Sequence, residues 1–369
     1  MKACVTGYGM IDALGNNPID CWDHMIDNKD YYRETEFKEH PKALFPEPES
    51  WILPDGLRPK DLSRSSLYAF HAIQQAMDNA GVEPHPNVGV FFSTTTGGND
   101  LQFSMYENWK LYPKKVINSI PDTLASQVSL HYGLKGINTC IQSACATGLV
   151  TIDYAMRFID DYDYLVVGGS DIGVNGIDIP AFSILRALGT HSRPFDLDRD
   201  GFIMGEGAGC LILESEEKAK ARGATIYAYL HPIAHFSDAM DRTAPSGEGA
   251  YETMAKASIL QPDAINAHGT STPIGDKIEH EAIKKLYYNT HIYSCKGKIG
   301  HTFAAAGVLE TIYSILSMRH SIIPHTHGCK VPMDNVVTKP LHMNIKTTLN
   351  NSFGFGGRCC SQLIEVNND

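Results

Sequence analysis

Cys145 is the side chain best placed by its neighbours to act as a nucleophile. It stands in Ser-Ala-Cys-Ala-Thr-Gly, where small residues on both sides let the backbone turn tightly and let a substrate approach. The run that Gly148 opens, ending Thr-Ile-Asp-Tyr-Ala-Met-Arg157, reads as a helix, so the thiol lies at or near a helix N-terminus. Unpaired N–H groups and the helix dipole there favour the thiolate, the form that attacks carbonyl carbon. The alternative is a buried structural cysteine, since free cysteine is among the most buried residue types. Cys140, which falls inside a strand candidate, is read as that inert kind.

Two of the sixteen histidines occupy comparable places. His268 lies in Asn-Ala-His-Gly-Thr-Ser-Thr-Pro-Ile-Gly-Asp, after a short apolar strand and before a helix. His301 lies in Cys-Lys-Gly-Lys-Ile-Gly-His-Thr-Phe-Ala-Ala-Ala-Gly, at another strand-to-helix junction. A lone histidine is usually a surface or satisfied core residue. Two at glycine-flanked junctions, with a cysteine at a third, describe one site built at strand ends. His325-Thr-His327-Gly-Cys329 resembles soft-metal spacing but follows Pro324 in a loop candidate, with no second pair nearby to complete four ligands. No metal is expected.

The elements that must position these groups are those of an α/β chain. Strand candidates at residues 2–6, 88–93, 164–167, 210–213, 226–230, 264–267 and 292–294 alternate with helical patterns at 61–80, around 250–259 and at 302–319, and two strands close the chain. The 61–80 helix has Leu67, Phe70, Ile73 and Met77 on one face and Gly81 as its stop signal. A faint internal echo runs through the series. Cys140, a turn, Cys145 and a helix from Gly148 are matched by Cys295, a turn, His301 and a helix from Gly307.

Composition excludes several function classes. With 369 residues, 43% hydrophobic and 20% charged, the chain can bury a large interior and is neither disordered nor fibrous. No apolar stretch approaches the roughly 18 residues of a membrane helix. Its start reads as a strand entering a glycine turn rather than as a signal peptide. A net charge of 31 − 42 = −11 argues against wrapping nucleic acid. Nine scattered cysteines without a CxxC pair suggest neither a zinc ribbon nor a disulfide framework, so a cytoplasmic location is expected.

Four segments together resemble a β-ketoacyl-acyl-carrier-protein synthase of the thiolase superfamily, the elongating class with a Cys-His-His triad. They are the block around Cys145, the Asn-Ala-His-Gly-Thr-Ser-Thr-Pro-x-Gly-Asp segment, Lys-x-x-x-Gly-His, and the C-terminal Asn-Ser-Phe-Gly-Phe-Gly-Gly. Arg-Pro-Phe-Asp-Leu-Asp-Arg-Asp-Gly-Phe-Ile-Met-Gly-Glu-Gly-Ala, from Arg193, is similar to a further family stretch, and the matches run in the family's order from Val5-Thr-Gly to the C-terminus.

The resemblance implies the thiolase fold, five αβαβα layers made of two pseudo-duplicated halves, here 1–225 with the nucleophile and 226–369 with both histidines. It implies that Cys145 takes an acyl chain from acyl carrier protein and that His268 and His301 promote decarboxylation of malonyl-carrier protein. Condensation then extends the chain by two carbons. The backbone N–H groups of Cys145 and Phe355 would form the oxyanion hole, and Phe355 would gate access on its glycine hinge. Lys296 and Glu279 match a lysine–glutamate pair with orienting and charge-balancing roles. Thr270 and Thr272 match hydroxyls that contact the phosphopantetheine arm. No cofactor is implied beyond that arm; the expected partners are the carrier and an identical or related subunit, with no nucleic acid and no membrane insertion.

Carrier protein is acidic, so a basic docking patch is expected, with Arg58, Lys60, Lys114 and Lys115 as candidates. The chain departs from the family where Thr-Asn becomes Arg358-Cys359, and where Leu-x-Gly-Ala-Ala-Gly becomes Thr302-Phe303-Ala304-Ala305-Ala306-Gly307. These changes leave the triad intact and point to specialised acyl chains, as in polyene or polyketide-like synthesis. The competing classes are a non-catalytic chain-length partner, against which the intact triad argues, and a thiolase or cysteine hydrolase, whose pattern fits less well.

Overall fold

The computed structural model describes all residues except Met1, Glu39, Gly56, Asn108, Lys110 and 367–369. Its centre is an eleven-stranded sheet. In chain order the strands used below are β1 (Ala3–Ile11), β2 (Val88–Ser93), β3 (Asn138–Thr139), β4 (Tyr164–Ile172), β5 (Glu206–Glu214), β6 (Ala228–Leu230), β7 (Ala264–Asn266), β8 (His291–Tyr293), β9 (Thr347–Gly354) and β10 (Arg358–Glu365). The spatial order of these ten is β8-β7-β9-β10-β6-β1-β5-β4-β2-β3, and the eleventh strand, Ala234–Ser237, lies off this path, paired with β10.

That order contains a repeat. Counted within its own half, each run of five strands is arranged 3-2-4-5-1. The pairings agree as well: β2 is parallel to β3 and β4, and β7 to β8 and β9, while the remaining neighbours are antiparallel. Strands β1 and β6 join the halves, antiparallel to one another. The echo between the two strand–turn–helix units therefore has a topological basis.

Two helices lie between the halves, α2 (Thr147–Met156) and α5 (Ala306–His320). Helix α2 packs on β2 and β4 of its own half and on β10 of the other; α5 packs on β9 and on β5. Every residue of α5 from Ala306 to Met318 is buried, as expected of a mostly apolar helix with sheet on both sides. Outside, α1 (Arg64–Ala80) covers β1, β5 and β4, while α3 (Glu248–Ala257) covers β10 with α4 (Pro273–Leu286) against it. The five-layered arrangement expected from the resemblance is present.

Helix α1 starts later than periodicity alone suggests. Ser63 Oγ accepts from Ser66 N and caps it, and residues 59–61 form a separate 3₁₀ turn. The 302–319 helix likewise resolves into a 3₁₀ turn, Phe303–Ala305, followed by α5. Strands β1, β4 and β5 run longer than their apolar cores, because both faces are covered along their whole length.

The two central helices touch where Gly148 and Gly307 meet. A Cβ on Gly307 would sit 2.8 Å from Leu149 N, and one on Gly148 would sit 3.0 Å from Gly307 Cα. Neither backbone can yield without moving the turn that precedes its helix. Gly307→Ala should therefore destabilise the protein by about 1–3 kcal/mol, read as a lowered urea midpoint. An unchanged midpoint would show that the helices can separate freely.

Candidate active site

The candidate nucleophile is held by a strained turn. Cys145 precedes the first turn of α2, whose N-cap is Ala146. Ala144 has φ 47°, a left-handed conformation that a non-glycine residue adopts only when its surroundings enforce it. Thr147 enforces it: its hydroxyl donates to Ala144 O (2.6 Å) and accepts from Ser143 N (2.8 Å). Ser352 Oγ on β9 donates to Cys145 O (2.9 Å), which ties the turn to the other half. Gly354 lets the β9–β10 hairpin cross this close, since a Cβ there would lie 3.1 Å from Cys145 N.

Cys145, His268, His301, Thr270, Thr272 and Phe355 all line one cavity of ≈ 400 Å³. The rings of His268 and His301 are perpendicular, with centroids 5.6 Å apart. Burial pushes the Cys145 thiol up to about 11, against the pull of Lys296 and of hydrogen bonds from the N–H groups of Phe355 and Cys145 itself. These are the two N–H groups that an oxyanion formed beside that sulfur would draw on.

Both histidines are neutral in this environment. Burial drives their pKa values well below the ordinary range, and the Lys296 ammonium drives them further; His268 also feels His301. Phe303 N donates to His301 Nδ1 (3.2 Å), so that nitrogen is the acceptor and Nε2 carries the proton. His301 Nε2 and His268 Nδ1 are buried, and among the described residues neither has a hydrogen-bond partner. Phe303 stacks on the His301 ring at 4.7 Å, and Phe202 meets it edge-on at 5.2 Å. Because the imidazoles stay neutral, CO₂ release from malonyl thioester should be flat as pH falls through 6.5. A drop centred near 6.5 would contradict this reading of the site.

One expected pairing is corrected. Lys296 forms its buried ion pair with Glu310 on α5, not with Glu279. Glu279 acts on the backbone: its carboxylate accepts from His268 N (2.8 Å), Gly269 N (2.8 Å) and Asn351 Nδ2 (3.0 Å), which locks the loop carrying His268 and Thr270. Burial raises the Glu279 carboxyl while these donors oppose the rise. Thr270 and Thr272 share a hydrogen bond of 3.0 Å. Arg199 supports their loop by donating to Thr272 O (3.0 Å).

Other candidates fall elsewhere. Arg58, Lys60 and Lys114 surround Asp61, and Lys115 lies over the Tyr112 ring; none of the four lines the cavity. Cys140 is outside the lining too. His325 bonds to His327 (3.2 Å), which bonds to Asp30 (2.8 Å), and among the described residues no group of three such side chains is placed to hold a metal ion.

Sequence reasoning missed Glu310, Asp171, Phe182 and Arg186. Glu310 is the only charged residue in 307–317, an otherwise uncharged helical run, and that isolation was a readable signal. Phe182 and Arg186 line the cavity from the segment after β4, with no local pattern to mark them.

Comparison with known proteins agrees with this geometry. Residues 2–219 match the model of the β-ketoacyl synthase N-terminal domain, and 227–330 that of the C-terminal domain. The 3-oxoacyl-[acyl-carrier-protein] synthase 2 of Coxiella burnetii is 34% identical, with 96% of each chain covered. The mitochondrial 3-oxoacyl-[acyl-carrier-protein] synthase of Arabidopsis thaliana is also 34% identical, over 98% of this chain and 93% of its own. The solved ishigamide ketosynthase/chain length factor superposes with a TM-score of 0.91 at 26% identity, covering 100% of this chain and 99% of that one. A β-ketoacyl synthase from Burkholderia phymatum gives 0.89 at 27%, with 100% of both chains covered. The chain belongs to the β-ketoacyl synthase family of condensing enzymes.

Proposed function

We propose that this condensing enzyme is an elongating β-ketoacyl-acyl-carrier-protein synthase in which Cys145, His268 and His301 carry the chemistry. The Cys145 sulfur attacks the thioester carbonyl of an acyl-carrier protein. The carrier thiol leaves with a proton, and the acyl group stays on the sulfur. Malonyl-carrier protein then enters; its bond to the carboxylate breaks, CO₂ departs, and the electron pair spreads onto the thioester oxygen. Imidazole N–H groups of His268 and His301 donate to that oxygen. The carbanion attacks the acyl-Cys145 carbonyl, whose oxyanion sits on the N–H groups of Cys145 and Phe355. The sulfur leaves, and a 3-oxoacyl chain two carbons longer remains on the carrier.

One observation carries the reading. Two buried, neutral imidazoles, one with its Nε2–H tautomer set by Phe303 N, line the same cavity as the cysteine. Burial, reinforced by the Lys296 ammonium, keeps both rings neutral; Glu279 orients the His268 loop, Phe355 gates the cavity, and Thr270 and Thr272 hold the phosphopantetheine arm. Both substrates arrive as thioesters on that arm, so the chemistry calls for no further cofactor. The nucleophile belongs to a half comprising 1–225 and the histidines to one comprising 226–369. All nine cysteines are free thiols, which suits a reducing cytoplasm. The cycle serves fatty-acid or polyene and polyketide-like synthesis.

Partners follow from the surface. Leu130 is an exposed large apolar residue on the helix Thr123–Tyr132, which packs on the edge strand β3, a face suited to a second copy or a related subunit. Arg58, Lys60, Lys114 and Lys115 dock the acidic carrier. Charge reversal at Lys114 and Lys115 should raise KM for carrier-bound substrate and leave kcat unchanged; an unmoved KM removes them from the docking surface. The test of function is a panel of acyl-carrier proteins with malonyl-carrier protein, read by mass: products longer by two carbons with a 3-oxo group are expected, and their absence across the panel overturns the reading.

A further inference from the structure

We propose that Asp171 is a positioning residue that sets the tautomer of His301, acting through the turn at Phe303 and Ala304; the proposal rests on the ketosynthase reading of this site. Asp171 ends the apolar part of β4 and is fully buried. Its carboxylate accepts from six donors: Thr94 Oγ1 (2.6 Å), the N–H and hydroxyl of Thr95, the N–H (2.9 Å) and hydroxyl (2.6 Å) of Thr96, and Ala304 N (2.7 Å). The first five come from the segment that follows β2. The sixth comes from the other half of the molecule, three residues after His301.

That sixth bond supports an otherwise unfavourable conformation. Phe303 has φ 48°, in the left-handed region that a bulky side chain avoids. In that conformation its N–H points back to His301 Nδ1 while its ring stacks on the imidazole at 4.7 Å and 12°. Asp171 fixes the next N–H along the chain. Gly169, two residues before Asp171, has no side chain in the way: a Cβ there would lie 2.4 Å from Ala304 O. Release of Ala304 lets Phe303 relax, and His301 loses the donor that keeps its proton on Nε2.

Asparagine at 171 cannot reproduce this arrangement. It has one acceptor oxygen where the carboxylate has two, and its amide group would face N–H donors of Thr95, Thr96 and Ala304 that cannot turn round to accept. The substitution also removes a negative charge that opposes ionisation of Cys145. The other charged or titratable groups around that sulfur, Lys296 with Glu310, Glu279, His268 and His301, are unaltered. The two half-reactions should therefore move in opposite directions.

For Asp171→Asn the expected result is a fall of about 10²-fold in the rate of CO₂ release from malonyl-carrier protein with KM unchanged, while the pH midpoint for alkylation of Cys145 by iodoacetamide drops by about one unit. A parallel loss of both activities, or CO₂ release at the unmodified rate, overturns the proposal. A second measurement needs no variant: ¹⁵N spectra of the histidine-labelled native enzyme should show His301 with its proton on Nε2, and a proton on Nδ1 overturns the proposal too. Native enzyme that releases no CO₂ would instead sink the ketosynthase reading, and the ¹⁵N result would still decide the tautomer.

Discussion

Cys145→Ala should abolish the acyl-enzyme and lower condensation by at least about 10³-fold, because no other group in the cavity can take over as nucleophile. The cavity holds one alternative thiol, Cys359, and burial raises it to about 12. The mass of the native protein after mixing with acyl-carrier protein should rise by one acyl group, mapped to the peptide containing Cys145; the variant should show no gain. Acylation of the variant elsewhere in the cavity would overturn the assignment. The same measurement excludes a non-catalytic chain-length partner, which would not acquire an acyl group at all. Thermal stability should hardly change, since removing one sulfur at the cavity wall leaves open space rather than a buried unpaired polar atom.

Glu310→Gln should have the largest effect on stability. The pair it forms with Lys296 is wholly buried, with side-chain exposures of 0% and 1%. Removing one partner of such a pair strands an uncompensated ammonium and typically costs about 3–5 kcal/mol. Here the stranded charge also lies beside His268 and His301, whose neutrality it already influences. Decarboxylation should therefore fall together with the urea midpoint. Joint replacement, Lys296→Met with Glu310→Met, should recover most of the stability without recovering decarboxylation, because the ammonium beside both rings is gone. Equal stability of Glu310→Gln and the native protein would mean that Lys296 has another counter-ion, and full activity of the double variant would remove Lys296 from the mechanism.

Much of the site was legible because its residues lie where short patterns change. His268 and His301 each follow an apolar strand, Cys145 follows the short strand Asn138–Thr139, and all three precede a helix with glycine close by, a local context that marks a loop at a strand end. Phe355 was legible through the glycines around it. Lys296 was matched with Glu279 but pairs with Glu310, since an ion pair is a contact between elements and Glu279 and Glu310 lie on different helices, α4 and α5. Only the fold decides which of those two helices faces the lysine. The late start of α1 has a different origin: a serine cap and a separate turn outweigh a hydrophobic period that continues past them.

By itself, the order of amino acids determined which side chains can react and which turns hold them, because small residues, glycines and apolar runs act over a few neighbours. It also carried the duplication, since each half repeats one strand–turn–helix unit. The tertiary structure alone decided the protonation of the site. Neutral imidazoles, a raised thiol and the Lys296–Glu310 pair arise from burial between the two halves of the sheet and from charges brought together across 139 residues, from Asp171 to Glu310. Local sequence encodes neither the dielectric around a group nor the distance to a charge on another element, and these set its pKa.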